Sequence, residues 1–221
     1  MSRFKVLPIL FNTEMVRANL DGRKSCTRRL VKGFVPDDAI WGYTAFTPKG
    51  YISCRGTFAD GYGEKFFKLP YQPGDILYVR ETVWQKTGHY LDVDGETKAV
   101  WCNEFKYVAT DEKPETGWNY SWVKRPSIHM PKEAARIWLK VTDVRVERLQ
   151  EITPDVIKNE GIILDPKECV GKFDYTSELY FLFQRLWNST IKKPDFDRYG
   201  WDANPWVWVI EFERCEKPNV N

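Results

Sequence analysis

The densest run of chemically capable side chains lies between Arg17 and Lys32. Six basic residues there (Arg17, Arg23, Lys24, Arg28, Arg29, Lys32) face one acid, Asp21, for a local charge of +5. Within this run Lys24 precedes Thr27 by three positions, with Cys26 between them. A threonine hydroxyl is a poor nucleophile until a base takes its proton. A lysine can be that base only when burial or nearby cations disfavour its ammonium form. Arg23, Arg28 and Arg29 could supply those cations, and could equally hold a phosphate or an oxyanion. A solvated lysine near a turn hydroxyl explains the same spacing without any chemistry.

Other reaction types have less to draw on. Only His89 and His129 are present, so acid–base work would fall to Lys, Thr or Ser, and Glu. His129 sits in Ser127-Ile128-His129-Met130-Pro131, close to Arg125, and reads either as a packed loop residue or as a ligand contact. His89 reads as a surface loop residue. The cysteines (Cys26, Cys54, Cys102, Cys169, Cys215) have no paired spacing of the kind zinc needs, and an odd number without a framework suggests reduced thiols. No metal and no cofactor is expected. Cys26 reads as buried, because a thiol nucleophile would have only Lys24 as a local base.

The whole-chain charge hides this local pattern. With 33 Lys+Arg against 31 Asp+Glu, the net charge of +2 makes no global case for nucleic acid or an anionic membrane. Locally, Lys124–Arg148 carries seven basic residues and three acids, and Asp92–Glu115 carries seven acids and three lysines. Two positive patches and one negative segment suit a protein that handles an anion at one place, or simply scattered solvated charge. Aromatic residues make up 15% of the chain, ten of them Trp, which argues against a disordered polypeptide. No stretch approaches the ~20 apolar residues of a membrane span, and the N-terminus does not read as a signal peptide. A cytoplasmic protein with no membrane partner is the expectation.

The elements that must position these side chains follow from local signals. Lys5–Phe11 reads as a strand, and Asn12 and Thr13 as helix caps before the apolar stripe Met15, Val16, Leu20. Asp21-Gly22 should close that helix. Arg23–Val31 reads as a polar stretch ending in apolar residues. Strands are expected at Tyr51–Phe58, Ile76–Val79 and Val100–Val108. The alternation of Ile137, Leu139, Val141, Val144 and Val146 predicts a long strand broken near Asp143. Thr153-Pro154 should start a helix that Gly161 stops, Phe173–Ile191 reads as an amphipathic helix, and Trp206–Phe212 as a closing strand. Trp187, Trp206 and Trp208 read as core, Trp84, Trp118 and Trp122 as residues that could stack on bases, and Trp41 and Trp201 as either.

The run Leu20-Asp21-Gly22-Arg23-Lys24-Ser25-Cys26-Thr27-Arg28-Arg29, followed by Pro73-Gly74-Asp75-Ile76-Leu77-Tyr78-Val79-Arg80, resembles the signature of the ASCH domain, a branch of the PUA-like superfamily. The resemblance extends in order through Val144–Leu149, Thr153–Glu160 and the closing strand. Through residues 125–131 and 201–212 it is most similar to the larger ASCH proteins of phages and prophages. It implies one α+β domain over residues 1–221, a PUA-like curved antiparallel β-barrel with flanking helices and two insertions, about 33–70 and 85–124. It implies RNA or a modified nucleoside or nucleotide as partner. Small family members that deacylate N4-acetylcytidine use a Lys, a Thr and a Glu. Carried over by position, these fall on Lys24, Thr27 and Glu160, with Glu81 as the rival carboxylate and with Arg23, Arg28, Arg29 and His129 as ligand contacts. A noncatalytic RNA or DNA reader, a ribonuclease and a phage assembly factor are the alternatives the same resemblance allows.

Overall fold

The computed structural model describes residues 4–164 and 174–218. Cys169, and the Phe173 end of the expected helix, lie outside them. In chain order the elements are β1 (Val6–Leu10), α1 (Thr13–Leu20), β2 (Cys26–Leu30), β3 (Ile40–Gly42), β4 (Tyr51–Phe58), β5 (Gly61–Lys68), β6 (Ile76–Arg80) and β7 (Val83–Leu91). Then follow β8 (Thr97–Tyr107), β9 (Tyr120–Arg125), β10 (Trp138–Arg148), α2 (Pro154–Asn159), α3 (Tyr175–Ser189), α4 (Phe196–Tyr199) and β11 (Trp206–Cys215). The fold is α+β and dominated by strands.

The chain divides into two compact units. One comprises the chain through Gly22, Ile76–Leu139 and the chain from Arg214; the other comprises Arg23–Asp75 and Lys140–Glu213. In the first, β1 lies parallel to β6 with Val6 opposite Ile76, and the start of β10 lies on the other side of β6. Asn12 caps α1 by accepting a bond from the Met15 amide at 2.8 Å, and Gly22 ends it at φ 73°. A cap of this kind contributes about 1 kcal/mol. A hairpin and a third strand form the sheet β8–β7–β9, which accounts for the segment expected as the 85–124 insertion. His89 therefore lies on a strand, its Nε2 3.0 Å from the Ser121 hydroxyl, and not in a surface loop.

In the second unit β11 pairs antiparallel with β2, Trp208 opposite Arg29 and Ile210 opposite Thr27, while β10 flanks β11 on its other side. Period-two alternation gives this layer two different faces. Val207 and Val209 pack with Leu149 and Ile157 and with Leu179, Phe183 and Trp187, the buried stripe of α3 at every fourth position. On the other face Trp206 and Trp208 both meet the ring of Trp41, at 5.9 and 6.2 Å. Trp41 in turn sits 5.1 Å from Phe67, so the 33–70 segment is the antiparallel sheet β3–β4–β5, joined to β11 through aromatic packing.

β2 is where the sequence reading fell short. The stretch Arg23–Val31 forms a paired strand although its residues do not alternate apolar and polar, because Val207–Glu211 supplies the ladder. β10 likewise runs unbroken from Trp138 to Arg148, through the expected break at Asp143. Among the described residues no sheet closes into a barrel.

Candidate functional site: a buried ion cluster and a basic cleft on β2

α2 begins with Pro154 at its first turn, is six residues long and is followed by Glu160 as its C-cap, with Gly161 beyond it at φ 94°. That short helix delivers Glu160 to Lys24. The Lys24 ammonium donates to the Glu160 carboxylate Oε2 and to its backbone carbonyl, each at 2.8 Å. Arg28 donates to the second carboxylate oxygen, Oε1, at 3.2 Å, and through its other terminal nitrogen to Glu147 at 3.1 Å. The side chains of Lys24, Arg28 and Glu160 are 0%, 2% and 3% exposed. Charges this deep are tolerable only because each is paired and hydrogen-bonded. Arg23 donates to the Gly161 carbonyl at 2.7 Å, fastening the same turn from outside.

The cluster continues along β10 and β11. Glu147 also accepts from Arg145 Nε at 2.6 Å, and Arg145 reaches Asp143 at 3.0 Å and Glu211 at 2.6 Å. Glu147 is a member of the site that the sequence reading missed. Its signal was its place on the polar side of the Val144, Val146 alternation, within reach of Arg28 on β2, two strands away across β11.

Two polar atoms here have no partner. The Thr27 hydroxyl and Arg28 Nε are both buried without a hydrogen bond, on adjacent residues of one strand. Thr27 is 1% exposed. Alternation sets Cys26 and Arg28 on the face of β2 that meets α2, and Thr27 and Arg29 on the face shared with Trp208 and Ile210. Lys24 and Glu160 thus meet directly, whereas no hydrogen bond joins Thr27 to either. The Cys26 thiol lies 3.9 Å from the Val156 carbonyl, and burial, then the charge of Glu160, pushes its pKa up to about 12. It is a protonated packing group at neutral pH.

On the Thr27 face lies a cleft of about 410 Å³ lined by Arg29, Lys32, Lys68, Phe67, Pro70 and Trp208. Burial lowers the pKa of the Arg29 guanidinium, with Glu160 and Tyr71 acting in the opposite direction. Three cations and two aromatic rings in a cleft of this size suit a nucleotide-sized anion. Phe67 and Lys68 come from β5, in a segment whose role the sequence left open.

The remaining candidates belong to the other unit. Glu81, 1% exposed, has both oxygens taken by Arg136, at 2.9 and 3.0 Å, so the carboxylate that meets Lys24 is Glu160. His129 ends a short 3-10 turn, Ser127–His129, and is exposed. Arg80 anchors that turn through the Met130 carbonyl at 2.8 Å. Of the tryptophans with a stacking expectation, Trp118 is 95% exposed, and Trp84 lies half-buried beneath Lys124 at 5.8 Å.

Fold and site together define an α+β protein in which one strand carries a buried ion cluster on one face and a basic, aromatic-lined cleft on the other. No family model, curated protein or solved structure matches the chain. No helix among the described residues is long and apolar enough to cross a membrane, and no group of three or more His, Cys, Asp or Glu among them could hold a metal ion.

Proposed function

We propose that this chain is an ASCH-type, PUA-like protein that binds RNA or a modified nucleotide in the cleft lined by Arg29, Lys32, Lys68, Phe67 and Trp208. The observation that carries the reading is that cleft, which pairs an aromatic wall for a base with cations for a phosphate. Binding through phosphates must weaken as salt rises, because each neutralised phosphate releases counterions. Titration of a single-stranded RNA oligonucleotide across a salt series tests this. Replacing Lys32 and Lys68 together by Ala is expected to shallow the log K against log salt slope by about 1 to 1.5. A slope unchanged by that double variant would remove the cleft from the binding surface.

A second reading, amide hydrolysis on N4-acylated cytidine, is favoured by the 2.8 Å Lys24–Glu160 bond and the unpartnered Thr27 hydroxyl. Lys24 would pass a proton to Glu160 across that bond and then accept the Thr27 proton as the hydroxyl oxygen attacks the acyl carbonyl. Glu160 would return its proton to the departing N4 amine. Water would then release the acid from Thr27. The step requires β2 to turn the Thr27 hydroxyl from the Trp208 face toward Lys24, since the two are not bonded. Released acetate from N4-acetylcytidine is the readout, and Lys24→Ala and Thr27→Ala should each abolish it. Full turnover in both variants would end this mechanism while leaving the binding reading intact.

A further inference from the structure

A second cleft, of about 240 Å³, opens where β2 ends, and Val31 lines both it and the first cleft. Its walls carry Arg148, Arg198, Phe34, Tyr199 and Trp206. Arg148 stacks 4.2 Å from the Trp206 ring and is held by the Asn204 carbonyl at 3.0 Å and the Asp37 carboxylate at 2.8 Å. Arg198 is exposed, with a single 3.3 Å bond to the Gly33 carbonyl. Phe34 presents 59% of its surface to solvent. The chemistry of the first cleft is therefore repeated: a guanidinium or ammonium for phosphate, and aromatic faces for a base.

The two clefts are also in step. Trp206 lines one and Trp208 the other, two residues apart on β11 and both against Trp41. Positions i and i+2 of a strand are separated by about 6.5–7 Å, a distance that one extended nucleotide can bridge. Val31, bonded to the Trp206 carbonyl at 3.1 Å, marks the boundary between them.

We infer that the second cleft is a subsite for the neighbouring nucleotide, so that the ligand is a single strand of at least two nucleotides lying across the end of β2, with Arg198 and Phe34 as its contacts in the second cleft. This inference rests on the proposed nucleotide-binding function of the first cleft. A duplex is disfavoured, because its bases are stacked on one another and cannot meet aromatic walls in two separate pockets.

Fluorescence anisotropy with labelled cytidine monophosphate, a labelled single-stranded RNA hexanucleotide and the same sequence as a duplex separates the outcomes. The hexanucleotide is expected to bind at least about tenfold more tightly than the mononucleotide and the duplex. Arg198→Ala and Phe34→Ala, both at exposed positions, should each cost the hexanucleotide about fivefold to tenfold and leave the mononucleotide within about twofold. Equal affinity for mononucleotide and hexanucleotide, preference for the duplex, or a hexanucleotide affinity indifferent to both variants would each overturn the second subsite. In those cases the first cleft would survive, as judged by loss of mononucleotide binding in the Lys32→Ala and Lys68→Ala double variant. Binding of none of the three probes would overturn both readings.

Discussion

Among the described residues Glu81 and Glu160 are both buried against arginine, and the contrast between them separates a self-contained ion pair from a shared one. Glu81 is met by a two-point contact from Arg136, whose remaining terminal nitrogen bonds the Thr110 hydroxyl at 2.9 Å and whose guanidinium lies 3.9 Å from the Tyr107 ring. Arg136 keeps a quarter of its side chain in water. Glu160 is instead divided between Lys24 and Arg28, both fully enclosed, and the strand that carries Arg28 leaves two buried polar atoms without partners. Buried polar atoms without a bond cost free energy, so a fold built for stability alone would have paired or removed them. The Glu81 pair is complete as it stands, while beside Glu160 the Arg28 Nε, and on the other face of β2 the Thr27 hydroxyl, are left unbonded.

The largest effect is expected from Glu160→Gln, which leaves Lys24 and Arg28 short of a buried counter-charge. Chemical denaturation should show a loss of about 3–5 kcal/mol. Glu81→Gln should cost less, about 1–3 kcal/mol in the same measurement, because Arg136 can turn toward water. Equal losses would erase the distinction between the two carboxylates.

A smaller effect belongs to Cys26. Its folded pKa is raised above the ordinary 9.0, so its contribution to stability is present below pH 9 and is lost as pH rises toward about 12. By pH 10 the loss should be about 1 kcal/mol, read as the difference between the parent and Cys26→Ala in the drop in unfolding free energy from pH 7 to pH 10. An identical drop in both would mean the thiol is not shielded.

The smallest change in stability, and the most telling, is expected for Thr27→Val. This variant keeps the shape and removes an unpartnered hydroxyl, so stability should hold or rise by up to about 1 kcal/mol. Acetate release from N4-acetylcytidine, the reaction in which Thr27 would be the nucleophile, should fall all the same. Destabilisation by more than about 1 kcal/mol would show that the hydroxyl serves the fold.

Much of the framework was legible in the sequence because its signals are local. Asn12 and Gly22 bracket α1, Pro154 and Gly161 bracket α2, and the Leu179, Phe183, Trp187 spacing sets the buried face of α3. β4 runs from Tyr51 to Phe58, as its composition implies. β2 was not legible, because Thr27-Arg28-Arg29 has no apolar alternation and becomes a strand only through its long-range partner β11 and through Glu160 and Glu147. β7 and β9 escaped for the same reason, each being a mixed-polarity run defined by its pairing. The site was half legible. The resemblance points to Lys24 and Glu160, and the two meet, whereas the cleft depends on Phe67 and Lys68, which reach Arg29 through tertiary packing alone.

The end of α2 carries one more consequence. Lys24 bonds the backbone carbonyl of Glu160 as well as its carboxylate, and the Ser25 amide bonds the Asn159 carbonyl at 2.9 Å. The lysine thereby stoppers a helix too short to hold itself together in water. Fraying of the helix and opening of the charge cluster become one event with one equilibrium constant. Any molecule that draws Lys24 away must also loosen the last turn, and the exchange of the Glu160 and Ser25 amide hydrogens would clock that opening residue by residue.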